Sequence, residues 1–477
     1  MQNVTSKENP LGYKSIPSLL RSFAIPSIVA MIVSSLYNIV DQIFIGNGVG
    51  YLGNTATNVS YPLTTICLAI ALLIGIGTAS RYSLYLGAGE REHAQKVVGN
   101  GLCLMVLLGI VYLILVEIFM TPLLYAFGAT DSSMEYAMCY SRIVTIGMPF
   151  LILTNGISQL VRADGSPKYS MVCMLIGAVV NTILDPLFIF VFNTGISGAA
   201  WATIIGQALS CIAAVCYIPR FKNIKLKKSD FKISLRESIK TASLGMSNSL
   251  NQVAITLVQI VLNNSLKYYG AMTIYGQDIP LSACGIVMKT NAILLAVIIG
   301  ISQGTQPIVG FNYGAKKYGR VIQAFKLAIA ANLVISVVGF VLFQFFPNVI
   351  ISMFGSGNEL YTEFAVKFMR TFLFMVIVNG VQLLSSNFFA AIGKPLKGLL
   401  LSMTRQVLFL IPLVLILPLF LGLDGILISA PIADATAFVL TVIVISIELK
   451  KIRNMQKEQD RLSENGSQPA TKEGYAN

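Results

Sequence analysis

Along the chain, long apolar stretches alternate with short polar ones, and a membrane-spanning helix needs roughly 20 apolar residues. Read this way, the pattern predicts six spans near 16–45, 55–80, 95–120, 134–161, 169–193 and 198–219. Six more are expected near 238–264, 280–306, 320–346, 363–391, 397–421 and 425–448. Between the two sets runs RFKNIKLKKSDFKISLRESIK (220–240), the longest basic polar stretch of the chain and the natural lobe boundary. The expected organisation is therefore an N-terminal segment 1–15, a first lobe 16–219, a basic linker 220–237, a second lobe 238–449 and a disordered polar tail 450–477. The fold class is an all-α membrane protein of twelve transmembrane helices in two six-helix lobes.

Short motifs repeat between the halves. Gly77-Thr78, Gly87-Ala88 and Gly165-Ser166-Pro167 recur as Gly304-Thr305, Gly314-Ala315 and Gly393-Lys394-Pro395, the first two pairs offset by 227 residues and the third by 228. Six spans return the chain to the side on which it started. The two halves must then run parallel, related by an axis along the membrane normal, as in several secondary transporter folds.

Composition agrees with this partition and excludes a large soluble domain. Of 477 residues, 55% are hydrophobic and only 12% charged, and the mean hydropathy is +0.73. The formal charge of +13 follows the positive-inside rule. Arg91, Lys96, Lys168, the bases of 220–240, Lys316, Lys317, Arg320, Lys394, Lys397, Lys450, Lys451 and Arg453 all fall in alternate loops, on one side of the bundle. The opposite loops carry Asp131, Asp278, Glu359 and Asp424 with only Lys267 as a base near their tips. Both termini are thus expected in the cytoplasm, and the excess charge is accounted for by topology and anionic lipid head groups rather than nucleic acid. Residues 1–14 lack the short apolar region and cleavage site of a signal peptide.

The seven cysteines are scattered singly through apolar runs, and the only histidine is His93. Disulfides, a metal site and a histidine-based catalytic triad are not expected. No segment reads GxxxxGK followed by Ser or Thr, so ATP binding is not expected either.

An ionisable group at membrane depth is expensive and normally faces a protein interior or aqueous cavity where it has a task. Asp41 on the first span and Asp185 on the fifth both fall in the outer half, so they can share one site. Asn181 precedes Asp185 by one turn, and Pro186 frees a backbone carbonyl nearby. Thr203 and Gln207 are one turn apart on the sixth span, Asn155 and Gln159 on the fourth, and Tyr37 lies one turn before Asp41. Together these form an oxygen-rich set suited to H⁺ or Na⁺, although Asn155, Gln159 and Gln207 taken singly suit helix–helix hydrogen bonding equally well. In the second half, Lys289 and Asp434 fall at matched depth, either as a buried ion pair or as groups that handle a substrate. Arg405 lies in the inner half of the eleventh span.

The sequence resembles the multidrug and toxic compound extrusion (MATE) family of bacterial cation-coupled exporters. The resemblance is carried by NIVDQIFIG around Asp41, NTILDPLFIF followed by GISGAAWATIIGQ around Thr203, IIGISQGTQPIVGFNYGA at the end of the eighth span, and TRQVLFLIPLVLILP on the eleventh. It implies two lobes in a V around a central cavity that opens alternately to either side, in a bacterial cell membrane. It also implies a first-lobe cation site at Asp41, Asn181, Asp185 and Thr203, with a polar contribution from the fourth span for which Asn155 is the nominee. One branch of the family places carboxylates on spans 7 and 10, where this chain has Gln252 and Gln259, then Asn379 and Gln382. Coupling is therefore expected in the first lobe.

The expected function is secondary active efflux of an amphipathic, cationic or aromatic drug-like compound, in exchange for H⁺ or Na⁺, by a monomer with no cofactor. Two competitors are a flippase for a lipid-linked saccharide, whose pyrophosphate would call for more cavity cations than Lys289 and Arg405, and a membrane-embedded enzyme, for which no catalytic constellation is present.

Overall fold

The structure is a computed structural model that describes residues 9–49, 51–129, 131–353 and 359–464; residues 1–8 and 465–477 of the expected terminal segments lie outside it. All regular structure in the described residues is helical. The first half holds α1 (Pro10–Tyr13), α2 (Ile16–Gly48), α3 (Tyr51–Ala88), α4 (Arg91–Ile118), α5 (Met120–Ala126), α6 (Asp131–Ala163), α7 (Pro167–Pro186) and α8 (Gly195–Val215). The second begins with α9 (Leu235–Gly270), α10 (Asp278–Gly314), α11 (Tyr318–Phe345) and α12 (Pro347–Ser352). It continues with α13 (Glu359–Phe372), α14 (Val376–Ala391), α15 (Pro395–Met403), α16 (Ile411–Ile416), α17 (Pro418–Leu421) and α18 (Leu423–Glu464).

Among the described residues, ten helical stretches are long and apolar enough to cross a membrane, and α13 with α14, bent by 48°, makes an eleventh. The expected seventh span coincides with α9, which is 36 residues long. Its Ser, Asn and Gln residues lower its apolarity, and it is held by packing on α3 and α15 instead of by lipid affinity alone. Two π-helical segments interrupt the bundle, Leu187–Val191 directly after Pro186 and Thr404–Leu410 between α15 and α16. A π turn shifts the side-chain register that follows it and often marks a functional position.

The repeated glycines sit where the two halves touch. A Cβ on Gly87 would lie 2.0 Å from the carbonyl oxygen of Phe311, and one on Gly314 would lie 2.1 Å from that of Leu84. Leu84 and Phe311 are themselves 227 residues apart, so α3 and α10 meet in a reciprocal contact across the repeat axis. Gly77 of α3 likewise abuts the carbonyl of Thr241 on α9, and Gly304 of α10 abuts Ala24 on α2. Only a residue without a side chain allows backbones this close. Nearby, Arg81 of α3 pairs with Glu237 and reaches Thr241 Oγ1 at 3.2 Å on α9, and Gln306 Nε2 donates to Ser80 Oγ at 2.8 Å. All these contacts lie at the end of the bundle that carries the basic loops, hereafter the basic end.

The segment after α8 is fastened at the same end. Asp164, fully buried, accepts from the hydroxyls of Tyr82 (2.6 Å) and Tyr217 (2.8 Å), from the Lys222 amide (2.7 Å) and from Asn223 Nδ2 (2.9 Å). Phe221 and Ile224 are buried against the first half. α18 runs on to Glu464, which corrects the expectation of disorder from residue 450. The sequence KKIRNMQKEQDRLSE is made of good helix formers, and Ile452 is completely buried.

The expected Lys289–Asp434 pair is also corrected. Lys289 is exposed on α10, and Asp434, 3% exposed on α18, pairs with Arg405 of the π segment. Matched depth placed two residues at one height without fixing the direction each faces, and the π segment supplies the guanidinium that Asp434 meets. Removing one partner leaves a buried charge uncompensated, so Arg405→Met should cost about 3–5 kcal/mol, whereas Arg405→Met with Asp434→Leu should recover part of that loss. Lys289→Met should remain close to wild type. Thermal unfolding in detergent tests all three, and additive losses for the Arg405 and Asp434 changes would exclude the pairing.

Candidate functional site

α2, α7 and α8 converge in the first half, and α6 closes the group from the side. On α7, the four-residue spacing puts Asn181 and Asp185 on one face, both buried, with Asp185 fully enclosed. Asn181 Nδ2 donates to Asp185 Oδ1 at 3.1 Å and to Thr203 Oγ1 of α8 at 3.3 Å. The Thr203 hydroxyl itself donates to the Ala199 carbonyl at 3.0 Å. One turn further along α8, Gln207 lies against Gly147 of α6, where a Cβ would stand 2.4 Å from its Oε1.

Asp41 of α2 faces Asp185 closely enough for the two carboxyl groups to interact directly, and Tyr37 stands near both. Among the described residues, Asp41 Oδ1, Asp185 Oδ2, Asn181 Oδ1 and Gln207 Oε1 are buried without a hydrogen-bond partner. Four buried acceptors with no donor are costly. A positive charge held among them would relieve that cost, and an all-oxygen donor set suits a proton or Na⁺ better than a softer metal.

A cavity of about 90 Å³ extends from this group toward the basic end, lined by Ser34, Tyr37, Asn155, Asn181, Thr203 and Gln207 among others. Asn155 thus lies along the cavity, with its amide donating to the Leu151 carbonyl at 2.9 Å. Beside the carboxylates, α6 instead contributes Tyr140, buried and adjacent to Thr203, Asp41 and Asp185. Sequence reasoning missed Tyr140, because a tyrosine in an apolar span carries no charge to single it out. Gln159 does not join the group. It lies one turn beyond Asn155, in a tight pocket where the halves meet, with Arg162, Ser83, Gln303 and Gln306.

A family model described as MatE matches residues 26–187 and 250–416. Multidrug export protein MepA of Staphylococcus aureus (strain MSSA476) is 25% identical over 428 residues, which is 89% of this chain and 92% of that protein. The protein of the same name from Staphylococcus haemolyticus (strain JCSC1435) is 25% identical over 454 residues, 92% and 96% of the two chains. Among solved structures, MATE in complex with MaL6 superposes with a TM-score of 0.87 at 22% identity, covering 93% of this chain and 99% of that one.

Binding of an ion at the carboxylates should stabilise the folded chain, by about 2.7 kcal/mol at a hundredfold excess over Kd. The melting temperature of the purified protein should therefore rise with Na⁺ at constant ionic strength, or with acidification if the proton is the ligand. Asp185→Asn should abolish the response while Gln159→Ala keeps it. A wild-type protein indifferent to both ions would exclude the site.

Proposed function

The chain belongs to the MATE family of membrane transporters, and we propose that it is a secondary active multidrug exporter coupled to H⁺ or Na⁺ through Asp41 and Asp185. The named relatives, multidrug export proteins, support the substrate class. The observation that carries the site is the set of buried, donorless oxygens on Asp41, Asp185 and Asn181, two of them carboxylate oxygens on different helices.

Coupling follows from what such a site costs. With no bound cation, two neighbouring carboxylates repel each other in a poorly hydrated setting, and the helices that carry them gain by moving apart or admitting water. A bound proton or Na⁺ removes that drive. An ion can shift the balance between conformers only if it binds one more tightly than the other. α2 meets both the site and, through Ala24 and Ile28, the contact with α10 at the basic end. A change at Asp41 therefore reaches the seal between the halves along one helix. In this reading the basic end faces the cytoplasm and is closed in the present conformer. The compound leaves through the opposite side, and the ion enters from there.

Asp41 and Asp185 act by holding the ion. Asn181 and Thr203 act as neutral ligands that set its affinity, and Tyr140 and Tyr37 wall the site from lipid. The exported compound is expected to be amphipathic, of the cationic or aromatic kind that the resemblance implies.

Efflux from proteoliposomes with imposed pH and Na⁺ gradients, applied separately, tests the proposal. Asp185→Asn and Asp41→Asn should each abolish gradient-driven export with folding intact. Asn181→Ala and Thr203→Ala should weaken apparent ion affinity about five- to thirtyfold, the effect of about 1–2 kcal/mol per lost ligand. Full export with unchanged ion dependence in Asp185→Asn would overturn the assignment. For the orientation, a single cysteine at Lys227 or Lys397 should label only from the cytoplasm, and one at Met272 only from outside.

A further inference from the structure

A second cavity, of about 510 Å³, lies at the basic ends of α2 and α7. It is lined by Arg21 and Ser18 of α2, by Ser15 just before that helix, and by Lys168 in the first turn of α7, with Ile25 and Pro26 deeper along α2. Neither cation has an acidic partner among the described residues. The carboxylate nearest Lys168 in sequence, Asp164, is already saturated by two tyrosine hydroxyls, Asn223 and a backbone amide. The Ser15 hydroxyl makes no capping bond to α2. Two unneutralised cations therefore share one recess with the hydroxyls of Ser15 and Ser18.

We propose that this recess binds the head group of an anionic phospholipid from the membrane leaflet at the basic end. The polarity gradient along α2 favours a lipid over a free phosphate. Arg21 and the serines lie at the mouth, while Ile25, more than half exposed, follows one turn, about 6 Å, deeper. A phosphate between Arg21 and Lys168 would thus leave acyl chains running down an apolar helix face, the arrangement of basic pockets between membrane helices. Zwitterionic lipids fit less well, because their own ammonium group opposes the two cations.

The two helices that the head group would bridge are also those that carry Asp41 and Asp185. Without an anion, no charged group bridges Arg21 and Lys168 across the basic ends of α2 and α7. With one, those ends are linked through the head group, about 25–30 Å along the helices from the carboxylates. Anionic lipid should therefore favour the arrangement in which α2 and α7 stay paired. This last step rests on the coupling role proposed above for Asp41 and Asp185, whereas the lipid site itself does not.

Native mass spectrometry of the purified full chain, titrated with dioleoyl phosphatidylglycerol, dioleoyl phosphatidylcholine or inorganic phosphate, tests the site. The wild type should retain phosphatidylglycerol in preference to phosphatidylcholine. R21Q and K168Q should each weaken that binding about fivefold, and the double variant about twenty-five-fold. R21K/K168R should keep it. R91Q/K96Q, which removes the same charge at the same end outside the recess, should bind as the wild type does. Equal retention of phosphatidylglycerol by wild type and R21Q/K168Q would overturn the proposal, as would equal losses in R91Q/K96Q. Protection of the wild type from thermal unfolding by inorganic phosphate as well as by phosphatidylglycerol would overturn the lipid as ligand. In proteoliposomes, adding phosphatidylglycerol to phosphatidylcholine vesicles should change wild-type efflux and leave R21Q/K168Q unchanged. If lipid retention behaves as expected but no gradient drives efflux, the function proposed above fails and the lipid site stands.

Discussion

The approach of backbone to backbone between the two halves is the contact on which the rest of the architecture depends. In lipid, helices gain little from hiding apolar side chains from one another, so close packing and the hydrogen bonds it brings together hold them in place. Here Gly87 meets the Phe311 carbonyl and Gly314 that of Leu84, so α3 and α10 approach too closely for any side chain at either glycine. The Gln306–Ser80 hydrogen bond spans that contact, and the Arg81–Glu237 pair ties α3 to α9 beside it. Such a contact is well suited to reversible opening. It is confined to one end of long helices, where the backbone contacts are joined by buried polar side chains such as Arg81 and Gln306.

The proposed ion site obeys a different constraint. Its carboxylates sit on α2 and α7, inside the first half, and do not cross the seam between the halves. Whatever binds there must act on the seam indirectly, by altering how α2 lies against α7 and α8. The same helix supplies Ala24 and Ile28 to the contact with α10. In the proposed coupling, one long helix links the carboxylates near one membrane face to a packing contact near the other, without a chain of intermediate residues.

The second half shows what happens when buried charge is satisfied internally. Asp434 and Arg405 neutralise each other, and Glu448, fully buried, is bracketed by Lys394 and by Lys397 at 2.5 Å. Neither carboxylate is left to seek a cation. Asp41 and Asp185 differ in that each has a buried oxygen with no donor, the feature on which the proposed functional role rests.

Much of this was readable without coordinates. Apolar length specified the helices, loop charge sorted their ends, and the rarity of carboxylates within apolar runs drew attention to Asp41 and Asp185, because an ion in hydrocarbon is too costly to occur without purpose. The repeat at 227 residues was visible as well, but not that its glycines meet one another. Direction around a helix axis is where the sequence reading stopped. Lys289 and Asp434 were paired by depth alone, and a π segment that no simple periodicity reveals turned Arg405 to Asp434 instead. Tyr140 stands beside the carboxylates and Asn155 lines the adjoining cavity because the place of each depends on how α6 packs against α7 and α8. Hydrophobicity and charge are properties of each residue and fix its depth in the membrane, whereas azimuth and tilt arise from the packing of all the helices at once, so only the tertiary structure could decide which groups at a given depth touch.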